Sequence, residues 1–190
     1  MITPRNRYHM YGDFKLAGKI CVEVGVRNGG NAKRLVTHNP AKLYLVDIWA
    51  EQDAYKDKRN TRNDQYEQMY QTVKKDFAPH PNVVLVRKLS IDASKDFENE
   101  SIDFVYLDAD HSERSTYMDL RVWAPKVKVG GWIAGHDWFE EEDSWSGVKK
   151  AVTRYLKETG HELQYLTKDR FHSWAFLKKT PTPPNLLTLP

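Results

Sequence analysis

Lys19-Ile20-Cys21-Val22-Glu23-Val24-Gly25-Val26-Arg27-Asn28-Gly29-Gly30 is an apolar run that breaks into a glycine-bearing turn. The β-branched residues Ile20, Val22 and Val24 suit a strand. Gly25 and Gly29 permit the close backbone approach and unusual dihedrals of a tight turn. A helix is predicted to follow from near Asn31. Strand, turn and helix are the opening unit of an open α/β sheet, in which ligands sit beyond the carboxyl ends of the strands.

The rest of the chain keeps that rhythm. Strands are predicted over 19–24, 43–47, 83–87, 102–108, 132–136, 163–166 and 173–177. Between them, 61–77 places Tyr66, Met69, Tyr70, Val73 and Phe77 on one helical face. A second helix is predicted from near Ser112, with Tyr117, Leu120, Ala124 and Val127 in one stripe and Gly130-Gly131 ending the connection. A third runs from Trp145, through Val148, Ala151, Val152, Tyr155 and Leu156, to a stop at Gly160. The nearly continuous apolar run 102–107 marks a strand buried on both faces. The spacing implies crossover helices early and a hairpin late, hence a doubly wound, Rossmann-like, mostly parallel α/β sheet.

With 190 residues, 40% apolar and 29% charged, the composition is that of one ordinary globular domain. Its expected extent is 1–179. The tail 180–190 carries four prolines and should be extended and poorly packed unless it docks on a partner chain; docking on a second copy would make a homo-oligomer. Basic and acidic side chains alternate without long runs and leave a net charge of +3, which gives little reason to expect a nucleic-acid partner. Cys21 is the only cysteine, so neither a disulfide nor a cysteine metal cluster is available, and it reads as a small buried hydrophobe. No secretory core or bilayer-length apolar stretch is present, so a cytoplasmic protein with no membrane partner is expected. The polar stretch 51–62 reads as a lid or as a solvated loop.

A nicotinamide site would need the three-glycine fingerprint, with the pyrophosphate on a helix N-terminus. Here Arg27 stands where the second glycine belongs, and Glu23 puts an acid in the pocket floor, which suits a cationic ligand. Asp47 ends the second strand, where a carboxylate can accept from both hydroxyls of a ribose. Ile48 and Trp49 could offer apolar surface to a base, and Leu89-Ser90-Ile91-Asp92 supplies polar groups for a base edge. The fourth strand delivers Asp108-Ala109-Asp110-His111 and the fifth ends Gly135-His136-Asp137-Trp138. Asp108, His111, His136 and Asp137 therefore converge, a group suited to a hard divalent cation, with magnesium the first candidate. Plainer roles stay open: a corner without ligand at the glycines, helix capping by Asp110 or Ser112, and simple packing of His136.

The Glu23-x-Gly25 turn with Gly29-Gly30, the 102–111 block and the 129–137 block together resemble the metal-dependent class I methyltransferases that include macrocin O-methyltransferase-like and cephalosporin-hydroxylase-like proteins. Catechol O-methyltransferase is a more distant likeness. The resemblance implies a seven-stranded sheet with one antiparallel strand near an edge. It implies S-adenosylmethionine as methyl donor, held by Glu23, Gly25, Val26, Arg27, Gly29, Asn31, Asp47, Ile48, Ser90 and Asp108. It also implies metal ligation by Asp108, His136 and Asp137, His111 as general base near its ordinary pKa, and a small-molecule hydroxyl as acceptor. Arg27 replaces the commoner glycine of the fingerprint, and His136 stands where some relatives carry a glutamate ligand. Rival readings are a nucleic-acid methyltransferase, which would place an Asn or Asp with Pro-Pro and an aromatic after the fourth strand, a fold member that binds cofactor without methyl transfer, and a nicotinamide oxidoreductase.

Overall fold

The computed structural model describes residues 1–52, 60–139 and 147–187. Seven strands, β1 (Ile20–Val24), β2 (Lys42–Asp47), β3 (Val83–Arg87), β4 (Ile102–Leu107), β5 (Val127–Trp138), β6 (Tyr165–Leu166) and β7 (His172–Leu177), form one sheet. Their order is β3-β2-β1-β4-β5-β7-β6. The first five are parallel, and β7 runs antiparallel to both β5 and β6. The strand order reverses at β1, which pairs with β2 on one side and β4 on the other. That switch point opens a crevice at the strand ends.

Successive side chains of a strand point to opposite faces, and the residues obey that period of two. Val22, Val24, Val105, Leu107, Trp174 and Phe176 pack with α4 (Ser90–Ser94), α5 (Glu113–Trp123) and α6 (Gly147–Thr159). Cys21, Leu43, Leu45, Phe104, Tyr106 and Ala175 pack with α1 (Arg7–Phe14), α2 (Ala32–Leu35) and α3 (Asn63–Phe77) on the other face. Both faces are thus covered, as a parallel sheet requires.

Some elements depart from the sequence expectation. The N-terminal segment forms α1, capped by the Asn6 side chain, which accepts from the Tyr8 and His9 amides, and it buries Met10, Tyr11 and Phe14. Val127 begins β5 rather than closing the stripe of α5, because the chain tightens into a 3-10 turn over Ala124–Lys126 that contains Pro125. The start of the third predicted helix at Trp145 and most of 51–62 lie outside the described residues. Through Leu187 the proline-rich tail is docked on its own chain: Leu186 is buried in the core, and the Arg121 guanidinium donates to its carbonyl at 2.9 Å. No helix among the described residues is long and apolar enough to cross a membrane.

Candidate functional site

The turn after β1 is built by its neighbours. Gly25 takes φ 85°, and a Cβ there would lie 2.1 Å from the Asp108 carbonyl oxygen, so only glycine lets the ends of β1 and β4 approach this closely. Arg27 adopts φ 53°, the left-handed region a fingerprint glycine would occupy. Asp47 holds it there: Oδ2 accepts from the amides of Val26 (2.9 Å) and Arg27 (2.8 Å), and Oδ1 from that of Trp49 (2.8 Å). Asp47 therefore organises the turn first, and a single lone pair, on Oδ1, is left for a ribose hydroxyl. Trp49 is fully buried and donates Nε1–H to the Arg27 carbonyl, so it braces the turn instead of facing a base.

A cavity of about 1000 Å³ opens over these strand ends. Of the residues named from the sequence, Glu23, Gly25, Val26, Arg27, Asn31, Asp47, Ile48, Ser90, Asp108, His111 and His136 line it. Gly29 and Asp137 are not among its lining residues. At φ 77° Gly29 faces α3, where a Cβ would sit 3.1 Å from the Phe77 ring, so its constraint is packing. Asp92 pairs with Lys95 on the surface and is likewise outside the lining.

Glu23 forms part of the floor. It is 1% exposed, and its Oε2 has no hydrogen-bond partner. Burial pushes its carboxyl up to about 8, against the opposing pull of the Asn31 amide. Asn31 Oδ1 accepts from Tyr11 of α1 at 2.9 Å. From the same helix, Arg7 donates to the Tyr106 hydroxyl at 2.9 Å and lies 3.5 Å from Asp108 Oδ2. An orphaned acid and a guanidinium thus share one end of the cavity.

Asp137 lies in a bulge. Gly135 pairs with Trp174 and Trp138 with His172, leaving one extra residue on β5, and Asp137 adopts φ 57°. Bulges re-aim side chains. Here Asp137 Oδ2 comes 2.9 Å from His111 Nε2, which is also 3.5 Å from Asp108 Oδ1. His136 Nδ1 is 3.4 Å from Asp137 and 3.6 Å from Asp108. Asp108, His111 and Asp137 each offer a ligand atom within 4.8 Å of the others. His136 Nδ1 lies close to both carboxylates as well, so His111 and His136 flank the same pair of acids. Burial lowers the His111 imidazole, but the flanking Asp108 and Asp137 carboxylates outweigh it and raise it to about 9. The two carboxylates thus favour the imidazolium form in the free protein. Burial acts upward on Asp108, yet the two imidazoles hold it well below the usual carboxylate range. Of the two capping candidates, Ser112 is the N-cap of α5, its hydroxyl accepting from the Ser115 amide at 3.2 Å, while Asp110 supports it by accepting from the Ser112 amide and the Ser115 hydroxyl.

Arg7 and Asp119 were not singled out by motif. Asn6, a good helix cap before Tyr8, Tyr11 and Phe14, was the available signal for α1 and hence for Arg7. Asp119 shares a helix face with Thr116, Leu120 and Trp123, and an acid on a buried stripe is itself a signal.

The sheet order, the switch-point cavity and the acidic first turn define a fold of S-adenosylmethionine-dependent methyltransferases. The chain belongs to a methyltransferase-domain family, whose model matches residues 22–138. A Streptococcus mutans protein solved in complex with S-adenosylhomocysteine has a similar structure, with TM-score 0.66 and 15% identity over 94% of this chain and 99% of that one. An rRNA methylase from Streptococcus thermophilus superposes with TM-score 0.64 and 16% identity, over 95% and 99% of the two chains. Spermidine synthase from Thermotoga maritima does so with TM-score 0.61 and 16% identity, over 97% and 60%. At these identities the likeness is one of fold. No curated protein matches the sequence.

Proposed function

We propose that the protein transfers a methyl group from S-adenosylmethionine to a hydroxyl of a small molecule, aided by a divalent cation. The observation that carries the donor assignment is the buried, unpartnered Glu23 Oε2 at the end of the cavity that Arg7 also lines. An α-amino acid brings an ammonium and a carboxylate, and Glu23 and Arg7 are complementary to both. The one lone pair left on Asp47 serves a ribose hydroxyl, Ile48 lies under the base, and Ser90 reaches its edge.

Methyl transfer is a displacement at carbon, in which the acceptor oxygen attacks in line with the leaving sulfur, so orientation is the main task of the site. Asp108 and Asp137, with an imidazole, fit a divalent cation such as magnesium, which when bound would favour the alkoxide of the acceptor. Whichever of His111 and His136 does not ligate remains within reach to take the hydroxyl proton. His111 must first lose the proton its carboxylates hold. The carboxyl-end placement of both acids, the second of them on a strained bulge, is what supports this chemistry.

The test is methyl transfer from labelled S-adenosylmethionine to catechol, sugar and RNA acceptors, with magnesium or with chelator. Asp108→Asn and Asp137→Asn are each expected to lose roughly a hundredfold in turnover, and Asp137→Asn, which lies outside the cavity lining, to retain S-adenosylhomocysteine binding. Parent-rate turnover by folded variants would remove the metal role. Transfer to RNA alone would replace the acceptor assignment.

A further inference from the structure

Ser90 opens α4 at the cavity wall, with Asp119 of α5 beside it. A serine hydroxyl has one hydrogen and two lone pairs. The hydrogen goes to Asp119 Oδ1 at 2.5 Å. One lone pair is taken by the indole Nε1–H of Trp123 at 2.9 Å. Trp123 is fully buried and packs on Phe97, and an indole nitrogen can only donate, so that bond cannot reverse. An ionised Asp119 can only accept. Ser90 is left with a single lone pair for a ligand.

We propose that Asp119 fixes the polarity of the Ser90 hydroxyl, so that the cavity selects a nucleobase edge bearing an exocyclic amine over one bearing a carbonyl. This rests on the S-adenosyl donor reading. Asp119 is a positioning residue here, acting through Ser90. An amine edge donates to the free lone pair. A carbonyl edge sets two acceptors against each other in a partly buried site, which leaves both unsatisfied. Trp123 and Asp119 lie one helical turn apart on α5, so one face of that helix presents both partners to Ser90. The same wiring ties α4 to α5, so a purely structural role is the competing account, and a ratio of two ligands separates them.

The experiment is calorimetric titration of S-adenosyl-L-homocysteine and its deaminated analogue S-inosyl-L-homocysteine, near pH 8.5. There Asp119, which burial raises to about 7, is ionised. The wild type should prefer the adenosyl ligand by about tenfold or more. In Asp119→Asn the amide can donate to Ser90 Oγ and release the hydroxyl hydrogen, so the ratio should fall to within about threefold. Ser90→Thr should keep the ratio and Ser90→Ala should lose it, which decides the matter even if the Asp119 variant fails to fold. A wild type that binds both ligands equally, or variants that weaken both in proportion, would overturn the proposal while leaving the donor reading intact. A wild type that binds neither would overturn the donor reading, and this inference with it.

Discussion

Glu23 faces a cavity with one carboxylate oxygen unpartnered and with its acid form favoured by burial. Its role is to release that proton to solvent when a cationic ligand binds, so that the carboxylate pairs with the ammonium. Glu23→Gln is therefore expected to weaken S-adenosylhomocysteine binding by about tenfold or more, the scale of a lost charge-assisted hydrogen bond. Stability should move the other way. The folded-state pKa of about 8 lies above the ordinary 4.5, so the native chain binds the extra proton across that window and loses stability as pH rises through it. Glutamine does not titrate. The melting temperature of the variant relative to wild type should thus climb from about pH 5 to about pH 8.5, and a flat difference would show that Glu23 is not a buried acid. Sequence reading found Glu23 because an acid two residues before a strand-end glycine stands out. It could not find that Asp47 spends its oxygens on three backbone amides, since nothing in a strand-end aspartate distinguishes a turn brace from a ribose ligand.

The glycines of the first turn look alike in sequence and differ in what surrounds them. A Cβ on Gly25 meets main-chain atoms of Asp108 and Ala109 that cannot move aside, whereas one on Gly29 meets the edge of the Phe77 side chain. Gly25→Ala should abolish both folding yield and donor binding. Gly29→Ala, at a left-handed φ, should cost about 1 kcal/mol or more in denaturant unfolding and leave affinity within about threefold. Equal effects at the two positions would mean that the turn is not divided between a ligand face and a packing face. Strands were legible because burial on two faces leaves long apolar runs with a period of two, and α3, α5 and α6 because their stripes are long. The eight-residue α1 and five-residue α4 are too short for periodicity to show, and the bulge that aims Asp137 arises from pairing between β5 and β7, which are distant in sequence. Those elements supply Arg7, which no motif marked, and the geometry around Ser90 and Asp137, which the sequence named without showing how they are held. The fold was therefore more legible than the site.

At the scale of the whole molecule, the order of the strands decides where chemistry can happen. Reversal at β1 brings the ends of β1, β2 and β4 around one cavity, and β5 adds the second carboxylate beside it. The same sheet is found in proteins named for rRNA methylation and for spermidine synthesis, so the sheet by itself does not fix an acceptor. The pocket proposed for this chain takes an S-adenosyl amino acid, with Glu23 and Arg7 at its amino-acid end. Calorimetric titration of the wild type with S-adenosyl-L-homocysteine, with NAD as the counter-ligand, tests that claim most directly. The account predicts saturable binding of one S-adenosylhomocysteine per chain and no measurable heat from NAD; tight binding of NAD, or no response to the S-adenosyl ligand, would contradict it.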